Sequence, residues 1–260
     1  MNLSFKKFHG AGNDFIILNL LDDNYLLSSE QITFLCDRRL GIGADGLIML
    51  YRSDINDFKM VYYNADGKIG SMCGNGGRSI AAFAFDEGIV GKNMQFTAYD
   101  GDHEAVIIQS DNESFEVKLT MMDVLVENFN EEYLIIDTGS PHYVTRVDNL
   151  AAFDVNNHGK KIRHSKQLST FGVNANFMEK IDNNIYLRTY ERGVEEETLS
   201  CGTGVTAAAI ANSLWYGENS AEIITRGGNL KVTFNRNENH FSNIELTGPV
   251  KKVFEGTITI

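Results

Sequence analysis

A chain of 260 residues with 43% hydrophobic content can bury a substantial core, as one large domain or two of ordinary size. Its 35 acidic and 23 basic residues give a net charge of −12, and an acidic chain without a basic stripe is a poor candidate for binding a phosphate backbone. The N-terminus lacks the apolar core of a signal peptide, no apolar run approaches the roughly 18 residues of a membrane span, and the three cysteines lack disulfide-framework spacing. We therefore expect a soluble protein of a reducing cytoplasm, with neither nucleic acid nor membrane as partner.

Short strands bounded by Asp, Asn and Gly dominate the predicted elements, and helices are few. In the first half, we predict strands over residues 15–18, 47–51, 58–63 and 105–108, and a serine-capped amphipathic helix over 29–38. In the second half, we predict strands over residues 133–136, 143–147, 185–190 and 231–234. The chain has only two prolines and no low-complexity run, so composition alone marks no linker.

Two segments of the chain resemble each other, and each contains a cysteine followed by glycines. Cys73 precedes Gly-Asn-Gly-Gly at 74–77, and Cys201 precedes Gly-Thr-Gly at 202–204, an offset of 201 − 73 = 128 residues. A mostly apolar segment follows each glycine run. A duplicated thiol at the start of a glycine-led helix suggests two opposed proton-transfer groups that are related by pseudo-symmetry.

The repeat extends beyond the cysteines. Glycine turns that enter a strand at 12–17 and 139–144 recur at nearly the same offset. We therefore predict two similar halves that join near Thr120. The N-terminal half, residues 1–119, carries Cys73, and the C-terminal half, residues 120–248, carries Cys201.

The helices predicted after the two cysteines are unusually apolar. Residues 80–85 and 205–214 are mostly alanine and larger apolar residues, with almost no charge. A helix that is apolar all round is buried on all sides, and in a strand-rich half a sheet must surround it. We predict an α/β (α+β) fold of two pseudo-symmetric domains, each a β-barrel-like mixed sheet wrapped around a central helix.

Free N–H groups at a helix N-terminus bind anions, and the same partial positive charge favours a cysteine thiolate. A thiol and a thiolate on opposite faces of a substrate carbon can remove a proton from one face and return one to the other, which inverts a stereocentre without a cofactor. The candidate bases are Cys73 and Cys201. The N–H groups expected to hold the substrate carboxylate belong to Gly74, Asn75, Gly202 and Thr203. Cys36, which has no glycines beside it, is expected to be a core residue.

Seven motifs in order along the chain closely resemble those of the diaminopimelate epimerase family. They are residues 8–15, 64–67, 72–78, 139–142, 173–177, 190–193 and 197–204. The resemblance implies interconversion of LL- and meso-2,6-diaminopimelate, on the bacterial route to lysine and peptidoglycan. It also implies a two-domain α/β fold, a homodimer and a reaction without pyridoxal phosphate, and we expect neither a cofactor nor a metal. In the family the last strand, here about residues 249–260, returns to the first domain.

The resemblance also implies roles for polar residues. The residues implied at the reacting amino acid end are Asn13 and Glu191, and those at the distal end are Asn64, Asn174 and Arg192. Arg192 would hold the distal carboxylate, since a guanidinium matches a carboxylate with two hydrogen bonds. His142 and Glu191 would lie near the cysteines and help to set which one carries the proton.

Two positions depart from the pattern of many family members. Ser140 stands where many have Asn, and Gly46 stands where some have Gln. Both positions touch substrate in the family. The distal contacts are therefore the least constrained part of the site, because serine is shorter than asparagine and glycine contributes no side chain.

Other interpretations remain open beside the epimerase. One is another cofactor-independent racemase or epimerase with paired thiols, of the proline or hydroxyproline type, which the distal polar residues disfavour. A second is a non-catalytic metal site at Cys73, Cys201 and a histidine, which glycine-led helix N-termini disfavour. A third is a binding module for an anionic small molecule. The glycine pattern at 41–46 fits a dinucleotide motif in letters, but the predicted helix precedes it and the strand follows it, so nucleotide binding is rejected.

Overall fold

The computed structural model describes residues 2–23, 25–127, 129–168 and 172–260. The chain divides into two compact units. The N-terminal unit comprises Met1–Leu119 and Pro249–Ile260, and the C-terminal unit comprises Thr120–Gly248. In the described part of the chain, no helix is long and apolar enough to cross a membrane.

Strands outnumber helices in both units. Up to Thr120 the elements are β1 (Asn2–Gly10), β2 (Asn13–Asn19), α1 (Ser29–Cys36), β3 (Gly46–Tyr51), β4 (Phe58–Asn64), α2 (Gly74–Asp86), β5 (Asn93–Ala98), β6 (Gly101–Asp111) and β7 (Ser114–Thr120). After it they are β8 (Val124–Leu125), β9 (Tyr133–Asp137), β10 (Pro141–Arg146), α3 (Val155–Arg163), β11 (Asn174–Ile181), β12 (Asn184–Glu191), β13 (Glu196–Thr198), α4 (Gly202–Tyr216), β14 (Ser220–Thr225), β15 (Gly228–Asn237) and β16 (His240–Thr259). Each predicted strand lies within or overlaps one of these strands.

The N-terminal unit is a closed barrel of eight strands. Strands β1 to β7 are neighbours in chain order, β16 lies beside β7, and β16 also pairs with β1 to close the barrel. The pairs β2–β3 and β4–β5 are parallel, whereas β1–β2, β3–β4, β5–β6 and β6–β7 are antiparallel. Among the described residues of this unit, closure pairs every strand of the barrel on both sides.

The C-terminal unit repeats the same succession of strand pairs. Its sheet runs β9-β10-β11-β12-β14-β15-β16, with β10–β11 and β12–β14 parallel and the other consecutive pairs antiparallel. Strand β8 pairs with β16, β13 pairs with β12, and a single bridge joins Phe129 to Leu134. The internal repeat detected around the two cysteines is thus a repeat of the whole strand topology, and the predicted fold class is confirmed.

A buried helix fills the centre of each unit. In α2, every residue from Gly74 to Ala84 is buried, and the helix packs against strands β1, β2, β3, β4 and β6. In α4, every residue from Gly202 to Ser213 is buried, and the helix packs against strands β9, β10, β11, β12, β14 and β15. Each helix is surrounded by strands, and this accounts for the nearly uncharged composition from which burial on all sides was predicted.

Helix α1 differs in detail from the prediction. It begins at Ser29, after Ser28, whose side chain forms a capping box with Gln31. It ends at Cys36, two residues before the predicted end, because Asp37 is extended and its carboxylate accepts N–H bonds from the next turn. Cys36 is 3% exposed in an apolar cluster, and burial raises the pKa of its thiol to about 12. The prediction that Cys36 is a core residue is confirmed.

Because the central helices are tightly packed, we predict that larger side chains are not tolerated at their buried alanines. Ala82 and Ala208 are fully buried, so Ala82→Leu or Ala208→Leu is expected to lower the free energy of unfolding by about 1–3 kcal/mol through overpacking. Urea denaturation measures the loss, with Ala152→Leu at an exposed position as the control. Unchanged stability in both buried variants would contradict the packing described here.

Candidate active site

Cys73 is the N-cap residue of α2. Its backbone is extended, with φ −118° and ψ 113°, and its Sγ accepts a hydrogen bond from the N–H of Gly76 at 3.4 Å. Its thiol also donates to Oδ1 of Asn13 at 3.6 Å. The sulfur therefore lies where the unpaired N–H groups and the dipole of a buried helix favour negative charge.

Cys201 has the same place in the C-terminal unit. It is the N-cap residue of α4, with φ −123° and ψ 112°, and Sγ lies 3.4 Å from Oγ1 of Thr203. The next residue but two, Gly204, admits no side chain, because a Cβ there would lie 2.5 Å from Oδ1 of Asn176. Asn176 and His142 thus approach the backbone of the first turn, which only glycine permits.

His142 orients Thr203 as a neutral donor. Asn176 donates to the carbonyl of Tyr143 and accepts from Oγ1 of Thr189, which fixes its amide orientation. The same Nδ2 lies 3.0 Å from Nδ1 of His142, so that nitrogen is the acceptor. Nε2 of His142 therefore carries the hydrogen and donates to Oγ1 of Thr203 at 2.8 Å.

The charge state of His142 agrees with this assignment. The side chain is fully buried, and burial lowers its pKa to about 3, with positive charge on Arg192 acting in the same direction. His142 is neutral at ordinary pH, and the hydroxyl of Thr203 lies between its Nε2 and Sγ of Cys201. Sequence reasoning placed His142 near a cysteine, and the structure places it one hydrogen-bonded residue away.

Asn13 is held by an ion cluster on the barrel wall. Its Nδ2 donates to Oδ2 of Asp45 at 2.7 Å, and Asp45 pairs with Arg38, which also pairs with Asp14. The buried Lys7 also pairs with Asp14, with its Nζ 2.7 Å from Oδ2 of Asp14. Because Asp45 fixes the amide nitrogen, Oδ1 of Asn13 faces Cys73.

Asn174 forms hydrogen bonds with two separate segments of the C-terminal unit, one at 140–141 and one at Arg192. Its Nδ2 donates to Oγ of Ser140 at 2.9 Å and to the carbonyl of Pro141, and its Oδ1 accepts from the backbone N–H of Arg192. Asn174 is therefore hydrogen-bonded within the protein as well as being a candidate substrate contact. Ser140, the first departure from the family pattern, is one of its partners.

Glu191 and Asn64 lie at the ends of corresponding strands. Glu191 ends β12 and its Oε2 accepts from Oγ1 of Thr198 at 2.9 Å. Asn64 ends β4, is exposed, and forms backbone bonds with Gly67 and Lys68 in a tight turn. The equivalence of the Asn64 and Glu191–Arg192 positions follows from the equivalence of their strands.

The second departure, Gly46, has a steric partner. A Cβ at residue 46 would lie 2.4 Å from the ring of Tyr62, and a Cβ at Gly70 would lie 2.5 Å from the same ring. Tyr62 lies between these two glycines, and its ring packs edge-on against Phe15. The space that a side chain at position 46 would need is filled by Tyr62.

Three residues of the site were missed by sequence reasoning. Asp45 orients Asn13, Asn176 fixes the tautomer of His142, and Arg78 lies fully buried in α2 behind Cys73. Period-2 alternation along β11 gives one signal, since it places Asn176 on the same face as Asn174. A charged residue within the otherwise apolar α2 segment gives another.

Nuclear magnetic resonance of labelled histidines tests the state assigned to His142. The folded protein should keep His142 neutral, with the hydrogen on Nε2, down to about pH 3, whereas the unfolded chain binds the proton near pH 6.5. The stability that neutral His142 contributes is therefore complete above pH 6.5 and lost as the pH falls toward 3. The exposed His240 is the reference signal. A His142 titration midpoint near 6.5 would contradict the assignment.

The model of the diaminopimelate epimerase family matches residues 5–125 and 134–253. The chain is 48% identical to the diaminopimelate epimerase of Flavobacterium psychrophilum, over 97% of this chain and 98% of that protein. It is 41% identical to the diaminopimelate epimerase of Chlorobaculum tepidum, over 96% of this chain and 99% of that protein.

Solved structures share the fold at low sequence identity. A Bacillus anthracis phenazine biosynthesis protein of the PhzF family matches with a TM-score of 0.76 and 13% identity, over 100% of both chains. A hydroxyproline epimerase from Agrobacterium vitis matches with a TM-score of 0.71 and 13% identity, over 99% of this chain and 92% of that chain. The resemblance found in the motifs is confirmed by the matches in sequence over nearly the whole chain. This chain therefore belongs to the diaminopimelate epimerase family.

Proposed function

We propose that this chain interconverts LL- and meso-2,6-diaminopimelate by a two-base mechanism in which Cys73 and Cys201 are the catalytic residues. One thiolate removes the α-proton, and the other thiol donates a proton to the opposite face of the carbanion. Each step moves one proton, so the substrate leaves with inverted configuration and the thiol and thiolate have exchanged roles. The enzyme returns to its starting state by proton exchange with water.

One observation carries the proposal. The two cysteines are the N-cap residues of equivalent buried helices, with backbone angles that differ by 5° in φ and 1° in ψ. A structural cysteine in an apolar core, such as Cys36, has no such setting. Two thiols at equivalent helix N-termini suit a reaction in which one group acts on each face of the same carbon.

The first turns of α2 and α4 supply the means to stabilise the carbanion. Removal of the α-proton places negative charge on the substrate carboxylate as an enolate. The N–H groups proposed to hold this charge are those of Gly74, Asn75, Gly202 and Thr203. Because they are fixed in buried helices, they need little reorganisation as the charge develops.

The surroundings of the two thiols supply an amino acid specificity. In the proposal, Asn13 and Glu191 contact the reacting end, while Asn64, Asn174 and Arg192 hold the distal end. Arg192 takes the distal carboxylate and the neutral His142 keeps Thr203 oriented. Tyr62 occupies the space beside Gly46, so the distal contact made there by some family members is replaced by an aromatic side chain.

A proline or hydroxyproline racemase is the nearest alternative, because a hydroxyproline epimerase shares the fold. The sequence relatives support the longer substrate, since both are diaminopimelate epimerases over nearly their whole length. A module that only binds an anion is the alternative of another class. It differs in one respect: binding would survive replacement of both cysteines by serine, and an enzyme would lose turnover.

The proposed partners are the substrate and a second copy of the chain, with no nucleic acid or membrane. The proposed compartment is the cytoplasm. A reducing compartment suits a mechanism that needs both thiols free. The apolar side chains of Val253 and Phe254 on β16 support a dimer, since about half of each is exposed, and Phe254 packs edge-on against Phe5. A second copy would cover this surface.

Solvent-exchange kinetics test the function. In deuterated water without added cofactor, LL-diaminopimelate should gain deuterium at one α-carbon as the meso isomer forms, because the donated proton comes from a thiol that exchanges with water. Proline, glutamate and lysine, assayed in parallel by mass spectrometry, should gain none. Exchange into proline alone would favour the racemase alternative, and no exchange by the folded, reduced protein would remove the proposal.

Cysteine variants locate the chemistry in the same assay. Cys73→Ala and Cys201→Ala should each abolish epimerisation, and Cys36→Ala is the matched control that should retain it. The control also removes a buried thiol. Circular dichroism of all three variants would show whether a loss of activity comes from loss of the fold rather than from loss of the chemistry. Full activity in either of the first two variants would refute the two-base mechanism.

Light scattering tests the dimer. The protein should have twice the monomer mass, and Phe254→Lys should shift it toward the monomer because a charge would be buried in the interface. Leu26→Lys, at another exposed apolar residue, should leave the mass unchanged. A monomeric wild-type protein, or a dimer that tolerates Phe254→Lys, would exclude this interface.

A further inference from the structure

Arg78 is a buried cation whose position is unusual for its charge. It lies in the second turn of α2 and is fully buried. Its side chain turns back toward the start of the helix, where Nη1 donates to the carbonyl of Gly74 at 3.1 Å and Nη2 donates to Oδ1 of Asn75 at 2.7 Å. Both partners are neutral, and Gly74 and Asn75 are the two residues that directly follow Cys73.

The setting of Arg78 is unfavourable for a cation unless an anion is near. Among the described residues, no carboxylate forms an ion pair with it, and its buried Nε has no hydrogen-bond partner. The N-terminus of a helix also carries partial positive charge, which disfavours a second positive group. A buried charge left uncompensated costs free energy, so its presence here points to a counter-charge that forms in function.

Cys73 is the group that can supply this counter-charge. Burial lowers the pKa of Arg78 to about 10, and negative charge on Cys73 acts in the opposite direction. The guanidinium thus stays positive at neutral pH. In a buried setting a cation stabilises a nearby thiolate far more than it would in water.

The repeated unit provides an internal comparison. The residue five positions after Cys201 is Thr206, as Arg78 is five positions after Cys73. Thr206 is buried and neutral, and its Oγ1 donates to the carbonyl of Gly202 within the helix at 3.2 Å. The two N-caps share backbone geometry. The charge on the residue five positions later, present at Arg78 and absent at Thr206, therefore makes the electrostatic surroundings of the two thiols different.

Other charged and titratable groups lie on or beside the strands that pack against the two central helices. On the elements packed against α2 they are Asp45 with Arg38, Asp14 with Lys7, His9, and His103 with Asp100. On the elements packed against α4 they are His142, Glu191 and Arg192. Each carboxylate of the first group is paired, His142 is neutral, and Arg192 is only partly buried and so screened by water. Of the charged groups named here, Arg78 has the least exposed side chain, at 0%.

We propose that Arg78 is a positioning residue that makes Cys73, rather than Cys201, the thiolate of the resting enzyme. In terms of the proposed function, on which this assignment of roles rests, Cys73 is the base that starts the cycle and Cys201 holds the proton to be donated. The first turnover moves the substrate proton to Cys73 and the Cys201 proton to substrate. Arg78 then favours loss of the proton from Cys73 to water while Cys201 takes a proton from water, which restores the resting state.

The pH dependence of alkylation tests this without substrate. Iodoacetamide reacts with the thiolate, so the rate at each cysteine, followed by peptide mass spectrometry, reports its ionisation. In the wild-type protein the midpoint for Cys73 should lie at lower pH than that for Cys201. Arg78→Met should raise the Cys73 midpoint by about one pH unit or more, which is about a tenfold slower alkylation at a pH below both midpoints, and leave Cys201 unmoved.

Two further variants separate charge from structure. Arg78→Lys keeps the charge and should retain most of the Cys73 shift, and Thr206→Val, the control at the equivalent position, should move neither midpoint. If Arg78→Met does not fold, the order of the wild-type midpoints and the Arg78→Lys profile still decide the matter. A lower midpoint at Cys201, or a Cys73 midpoint unchanged in folded Arg78→Met, would overturn the proposal. Because no turnover is measured, this result is independent of the epimerase assay.

Discussion

The structure depends on the burial of a helix within a surrounding sheet, with the first-turn N–H groups at its N-terminus available to bind an anion. Strands surround α2 and α4 on their sides, so side chains there are small or apolar and carry almost no charge. The first-turn N–H groups remain, and these attract negative charge in a setting where water does not screen it. One constraint thus accounts for the apolar helices, the glycines and the position of each cysteine.

Duplication supplied two such sites, and divergence made them unequal. The succession of parallel and antiparallel pairs is the same in both units, and so are the N-cap angles. The partners of the thiols differ: Asn13, fixed by an ion cluster, faces Cys73, whereas Thr203, fixed by neutral His142, faces Cys201. In the proposed function, a substrate with one reacting end and one anchored end accounts for this inequality, and inversion at one carbon accounts for the equivalent placement of the two thiols.

The sequence allowed both central helices, and the position of a cysteine at the start of each, to be predicted, because glycine runs and apolar composition are local signals. It did not reveal α3, whose polar residues are ordered by a cap at Asp154 and by close contact of Gly159 with Tyr190. Nor did it reveal that Asn176 controls His142 or that Tyr62 fills the space beside Gly46, since both depend on contacts between strands. Local motifs identified the candidate site residues, and tertiary contacts decide how their side chains are oriented.

The central claim is that two different groups handle the proton on the two faces of the carbon. It is tested most directly by the distribution of deuterium early in the reaction in deuterated water, measured by mass spectrometry after product and substrate are separated. The account predicts that meso product carries solvent deuterium at the inverted carbon while recovered LL-diaminopimelate still carries hydrogen there. Product that retains the substrate's own hydrogen would show that a single base acts on both faces, and would contradict the account.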